Sequence, residues 1–183
     1  LKQYPRFTQD LPKVIQACAS KILYALTKQK QRFVRYGGMI EMTEVKFYEK
    51  TADELLKFAV IFAKTQNQYV FCKHRDRDTW EVPGGHRENG ENILDTAKRE
   101  LYEETGALEF DIEPVCIYSV TASDNFHGEE SFGMLFFADI KRFEAELHSE
   151  IEKIMITDKF PERWTYPDIQ PHLINEVRKR GYL

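Results

Sequence analysis

Glu100, Glu103 and Glu104 stand within five residues of one another, directly after Arg99 and downstream of the pair Gly84-Gly85. Carboxylates this close repel each other, and where they turn toward a core they also lose hydration unless a cation holds them. Hard oxygen donors of this kind suit Mg²⁺, with Mn²⁺ as the alternative, and magnesium commonly fills the rest of its shell with water and phosphate oxygens. The pattern therefore points to metal-assisted chemistry on a phosphate group. No Cys or His stands nearby in zinc spacing. A merely solvated helix face is the competing reading, and it leaves the neighbouring Pro83-Gly84-Gly85 unexplained.

The elements that must position these side chains are legible. Asn92 is a good N-cap, Asp95 is a shortened capping-box partner, and Gly106 is a stop, so a helix is predicted from about Ile93 to Thr105. Ile93, Leu94, Ala97 and Leu101 share one face of it. Glu104 points along the middle of that apolar stripe, Glu100 flanks it, and Glu103 lies further round, one turn from Arg99. Val45 to Tyr48, Leu56 to Thr65 and Gln68 to His74 read as strands, with Gln66-Asn67 as a hairpin turn. Thr79 to Val82 reads as a short strand delivering Pro83 and the two glycines, which permit unusual torsions and close approach of a ligand or metal. Asp111 to Thr121 and Ser131 to Ile140 read as strands around the polar loop Ser123 to Glu130, and Ser149 to Thr157 alternates weakly. Pro167 and Asp168 begin a last helix reaching about Arg180, with Ile169, Leu173, Ile174 and Val177 on its apolar side. Strands on both sides of one helix, then a final helix, predict an α/β sandwich with a mixed β-sheet between helices.

Read from Gly85, the order is Gly85, five residues, Glu91, seven residues, then Arg99-Glu100-Leu101-x-Glu103-Glu104-x-Gly106. It resembles the signature box of the Nudix hydrolase family at every charged and glycine position. Ala107, where that family carries a bulkier aliphatic residue, is the departure. The resemblance implies a Nudix-type α/β sandwich over about residues 42 to 180 and hydrolysis of a nucleoside diphosphate linked to another group. It implies metal ligands from Glu100, Glu103, Glu104 and the carbonyl of Gly84, with Gly85 on the substrate side. Arg99, four residues before Glu103, would hold that carboxylate in one rotamer. Glu91 is either a further ligand or a favourable charge at the helix N-terminus.

Other site residues are candidates by position. Arg75 matches a place where family members carry an arginine that reaches phosphate or base, with Arg77 and Lys73 as rivals. Trp80 is either a base-stacking residue or core. Phe126 and His127 lie in the loop where family enzymes read the leaving group. Family enzymes also supply a general base from a loop some forty residues after the box; here Glu129 and Glu130 are the candidates, Glu130 first because it adjoins a strand, with Glu150 and Glu152 as later ones. The proline that accompanies ADP-ribose hydrolysis is absent from Thr121 to Ser123, and there is no Ser-Gln-Pro-Trp-type array. Trp80-Glu-Val-Pro-Gly-Gly85 looks like branches that act on nucleoside triphosphates, including oxidised ones such as 8-oxo-dGTP. An RNA 5′-end pyrophosphohydrolase and a non-catalytic nucleotide-sensing regulator are the alternatives.

The chain has 183 residues, 42% hydrophobic and 13% aromatic, enough for one well-packed domain plus an extension. Residues 1–41 carry eight Lys or Arg against Asp10 and Glu41, a net +6, so the rest of this −4 chain carries −10. Asp10 caps a helix to about Lys30 with Leu11, Ile15, Cys18, Ile22 and Leu26 on one face, and Tyr36-Gly37-Gly38-Met39 reads as a linker. The expected organisation is a basic helical extension and linker over 1–41 and a hydrolase domain over 42–183. The apolar stripe packs either on the domain or on a second subunit, as a homodimer; contact with nucleic acid through the basic segment is the less favoured role. The expected partner is a small-molecule nucleotide, with no membrane. Cys18, Cys72 and Cys116 are scattered and read as reduced, buried thiols; with no signal-peptide apolar region and no apolar run longer than Phe58 to Ala63, a cytoplasmic location is expected.

Overall fold

The computed structural model describes residues 35–36, 39–40, 43–122, 128–147 and 150–183. The chain divides between Ile40 and Glu41 into two units. In the first, strands β1 (Arg35–Tyr36) and β2 (Met39–Ile40) pair antiparallel with Tyr36 opposite Met39, so the expected linker carries a strand pair. The helix expected from Asp10 to Lys30, and Cys18 within it, lie outside the described residues, as do Phe126 and His127.

The second unit is a mixed seven-stranded sheet. It comprises β3 (Glu44–Tyr48), β4 (Leu56–Thr65), β5 (Gln68–His74), β6 (Gly84–His86), β7 (Ala107–Thr121), β8 (Ser131–Phe143) and β9 (Ile151–Thr157). Their order is β3-β7-β8-β4-β5-β9, with β6 also on β4. β4 and β8 run parallel, and every other pairing is antiparallel. Helices α1 (Ile93–Thr105) and α2 (Gln170–Lys179) cover opposite faces. The alternation along β4 explains this: Ala59, Ile61 and Ala63 share a core with Ala97 and Leu101 of α1, while Phe62 packs with Leu173, Ile174 and Val177 of α2. Two of the three β4 residues under α1 are alanines, which brings the helix, and the carboxylates it carries, close to the sheet. The structure is the α/β sandwich predicted from element order.

Local chemistry sets the boundaries. Gln66 and Asn67 both take positive φ, 47° and 68°, the signature of a two-residue hairpin turn. Asn92 caps α1 through Oδ1, which accepts from the backbone N–H of Leu94 and of Asp95 at 3.1 and 3.0 Å. The Asp95 carboxylate engages the Asn92 side chain instead of its backbone, so the reciprocal half of a capping box is not made. Gly106 closes the helix in the left-handed region, φ 71°.

Four expectations are corrected. Thr79 to Val82 is not a strand; only single bridges join Glu81 to Cys72 and Trp80 to Trp164, and the strand falls instead on Gly84–His86. Neither Gly84 nor Gly85 has positive φ, so they form no turn. Gly84 is glycine for want of space: a Cβ there would lie 2.5 Å from the Ala59 carbonyl oxygen on β4. β7 begins four residues earlier than read, at Ala107, because irregular register at Ala107/Glu109, Glu109/Phe110 and Pro114/Cys116 lets it stay paired with β8 past Pro114. The last helix begins at Gln170, after a turn in which the N–H groups of Ile169 and Gln170 bond the Tyr166 carbonyl.

Candidate active site

α1 places Arg99, Glu100, Glu103 and Glu104 on consecutive turns facing β6. The Arg99 guanidinium is the hub of this face. It donates to Glu100 Oε1 (2.8 Å), Glu103 Oε2 (3.0 Å) and the His86 carbonyl (3.0 Å), and it forks onto both oxygens of Glu91 (2.8 and 3.1 Å). The sequence paired Arg99 with Glu103 alone; folding adds the rest. Glu91 also accepts from the Glu88 amide (3.0 Å) and the Thr96 hydroxyl (2.9 Å), and Arg99 with these donors holds its carboxyl down at about 2. Both its oxygens accept from Arg99, and the Glu88 amide and Thr96 hydroxyl fix it further, so Glu91 anchors Arg99.

Glu104 lies deeper. One of its oxygens accepts from the Gly84 amide at 2.9 Å and from the Cys72 thiol at 3.5 Å. Burial pushes its carboxyl up to about 8, with the charges of Glu100 and Glu81 adding to this and the Gly84 amide opposing it. Burial likewise raises Glu100, against the pull of Arg99. Glu81, only 6% exposed, is a buried carboxylate the sequence reading passed over; its place between Trp80 and Val82 on an apolar stretch was the available signal. Burial raises it too, against Arg77, whose guanidinium reaches its oxygens at 3.1 and 3.3 Å and the Tyr166 hydroxyl at 3.4 Å.

A divalent cation fits this donor set by two observations. All three carboxylates offer hard oxygens from one stretch of helix. Beside them Gly85 leaves a cradle: a Cβ there would fall 2.2 Å from Glu100 Oε1, so only glycine lets that carboxylate lie against the strand. Arg99 takes one oxygen of Glu100 and one of Glu103. Among the described residues no three His, Cys, Asp or Glu side chains converge on a single point, so ion binding requires these carboxylates to adjust around Arg99.

Gly84, Gly85 and His86 form one wall of a cleft of about 610 Å³. Phe58, Tyr118, Val120 and Ser131 line it from the sheet, and Thr165 to Gln170 close the far side. Trp80 is not in it. Trp80 lines a separate pocket of about 320 Å³ with Phe160 and Arg163, packs on the α2-side core, and has Lys153 over its ring at 5.7 Å. Arg75 is exposed and its amide bonds the Glu150 carbonyl, whereas Arg77 is the arginine that contacts a cleft residue, Tyr166. Lys73 pairs with Glu152 at 2.7 Å, and Glu150 faces His74 at 3.4 Å, so both later base candidates are engaged along the β5–β9 edge. Glu130 adjoins the cleft residue Ser131 and accepts from Tyr48 and Ser119 hydroxyls, each at 2.7 Å, which hold its carboxyl below the usual range. Glu129 is exposed beside it.

Fold and site together define an α/β sandwich that presents a carboxylate-rich helix to a glycine strand. The chain belongs to the Nudix family: residues 55–173, more than half its length, match the NUDIX domain model. Over 67 residues it is 36% identical to the RNA pyrophosphohydrolase of Psychrobacter sp. (strain PRwf-1), a match covering 37% of this chain and 36% of that protein. The chain thus spans little more than a third of the relatives it matches. By structure it is similar to a mutant of the Bacillus subtilis pyrophosphohydrolase BsRppH (TM-score 0.64, 20% identity, covering 78% of this chain and 93% of that one). A NUDIX hydrolase from Nitrosomonas europaea is also similar (TM-score 0.55, 20% identity, 68% and 89% covered). At these identities the structural likeness is one of fold.

Proposed function

We propose that this chain is a Mg²⁺-dependent pyrophosphohydrolase that cleaves the diphosphate of a nucleotide, with Mn²⁺ as an alternative ion. The observation that carries the reading is the carboxylate set of α1 meeting the Gly85 cradle at the wall of a nucleotide-sized cleft. Glu100, Glu103 and Glu104 hold the ion, which when bound supplies charge neutralisation and Lewis acidity. Arg99 keeps Glu100 and Glu103 in place and is itself fixed by Glu91. Glu130, with its low pKa and two hydroxyl donors, is a weak proton acceptor and serves as an anchor for the start of β8; Glu129 takes the proposed place of general base. Free nucleoside triphosphates, oxidised guanine nucleotides such as 8-oxo-dGTP among them, are the first substrate class.

An RNA 5′ end is the second reading. It is favoured by the names of the relatives and by the net +6 of residues 1–41, which suits a phosphate backbone. Phosphate or diphosphate release with Mg²⁺, measured across nucleoside triphosphates, 8-oxo-dGTP and a short triphosphorylated RNA, separates the two. Release that disappears in Glu104→Gln supports hydrolysis. No release from any of these substrates sinks it in favour of a nucleotide-sensing regulator. Cys72 and Cys116 are free and buried, in keeping with a reducing, cytoplasmic setting.

A further inference from the structure

One hydroxyl in the lining of the cleft, that of Ser131, is buried with no partner within the described protein, and a tyrosine lines the cleft beside it. Ser131, the first residue of β8, is 2% exposed, lines the cleft, and its Oγ makes no hydrogen bond. Tyr118 on β7 lines the same cleft at 5% exposure, and burial raises its phenol above the ordinary value. The β7–β8 ladder sets them side by side, with Val120 opposite Ser131 and Tyr118 opposite Gly133. Gly133 makes room for the phenol: a Cβ there would fall 2.6 Å from the Tyr118 hydroxyl oxygen. A buried hydroxyl left unpaired, as that of Ser131 is, costs stability, and where a native structure keeps one a ligand or an ordered water completes it.

We propose that Ser131 and Tyr118 contact the polar edge of the nucleobase, as the base-binding pair of the cleft; this rests on the nucleotide reading above. Among the described residues no Lys or Arg lines the cleft, and Asp168 does, so this end does not suit a phosphate. The phosphates belong at the Gly84–Gly85 end beside the carboxylates. Phe58, Val120 and Ile169 line the same cleft, apolar surfaces that suit the faces of a planar ring while its polar edge meets the hydroxyls. Each hydroxyl can turn to donate or to accept, so the pair accommodates more than one base.

Calorimetric binding of ADP, GDP and base-free ribose 5-phosphate to wild type, Ser131→Ala and Tyr118→Phe tests this, with Tm measured alongside. Each substitution is expected to weaken ADP or GDP binding by roughly fivefold, the loss of one hydrogen bond. Ribose 5-phosphate binding stays unchanged, and Tm for Ser131→Ala holds or rises because an unpaired buried polar atom has been removed. Unchanged nucleotide binding in both variants, an equal loss on ribose 5-phosphate, or a lowered Tm for Ser131→Ala overturns the assignment. Wild type that binds nucleotides without hydrolysing any leaves the base contacts standing and removes only the pyrophosphohydrolase reading; wild type that binds none removes both.

Discussion

Glu104 shows how one residue can be placed against its own preference. It sits on the apolar side of α1, where burial raises its carboxyl to about 8, and it accepts from the Gly84 amide and the Cys72 thiol. The proposed cation would account for a carboxylate kept there. Glu104→Gln retains an oxygen for the Gly84 amide, so the variant should keep its fold while turnover at saturating Mg²⁺ falls by about a hundredfold or more, as should that of Glu100→Gln. Either variant keeping more than about a tenth of wild-type turnover rejects its role as ligand. Glu91 gives a prediction in pH. Its folded carboxyl is lowered from 4.5 to about 2, so its contribution to stability is present above pH 4.5 and is lost as pH falls through about 2. The gap in Tm between wild type and Glu91→Gln should therefore be largest near neutrality and narrow steadily below pH 4.5; a gap independent of pH counts against the Arg99 anchor.

At the scale of elements, the short strand β6 is where two glycines serve two different needs. A Cβ on Gly84 meets backbone, the Ala59 carbonyl oxygen at 2.5 Å and Val60 Cα at 2.9 Å, and neither can move without parting β6 from β4. A Cβ on Gly85 meets the end of a flexible side chain, the Glu100 carboxylate. Gly84→Ala should thus lower Tm by roughly 4 °C or more, while Gly85→Ala should lose turnover with a smaller change in Tm. Thermal melts of both variants beside their Mg²⁺-dependent rates decide it, and the reverse pattern would show that β6 positions nothing.

For the whole molecule, the division between Ile40 and Glu41 leaves every residue of the proposed site in the second unit. A chain beginning at Met42 should keep its specific activity on a free nucleotide; a folded truncation that loses more than about tenfold would place a residue of 1–41 in the chemistry. If the RNA reading holds, the same truncation should lose activity on triphosphorylated RNA at low salt and show a shallower salt dependence than the full chain, since a basic segment works by phosphate contacts. The sequence by itself determined the helix from Ile93 to Thr105, its cap and its stop, the hairpin at Gln66-Asn67, and the carboxylate set, because each depends on near neighbours: a side chain bonding the amides two and three residues on, a turn that needs positive φ, an apolar period of one helix. Only the tertiary structure decided the partners of Arg99 beyond Glu103, the shift of the strand onto Gly84–His86, the removal of Trp80 to another pocket, and the placing of Tyr118 beside the unpartnered hydroxyl of Ser131. These depend on which strands lie side by side, and β7 beside β8 or β6 beside β4 is a choice made between segments distant in the chain, where the energy lies in packing that no local pattern records.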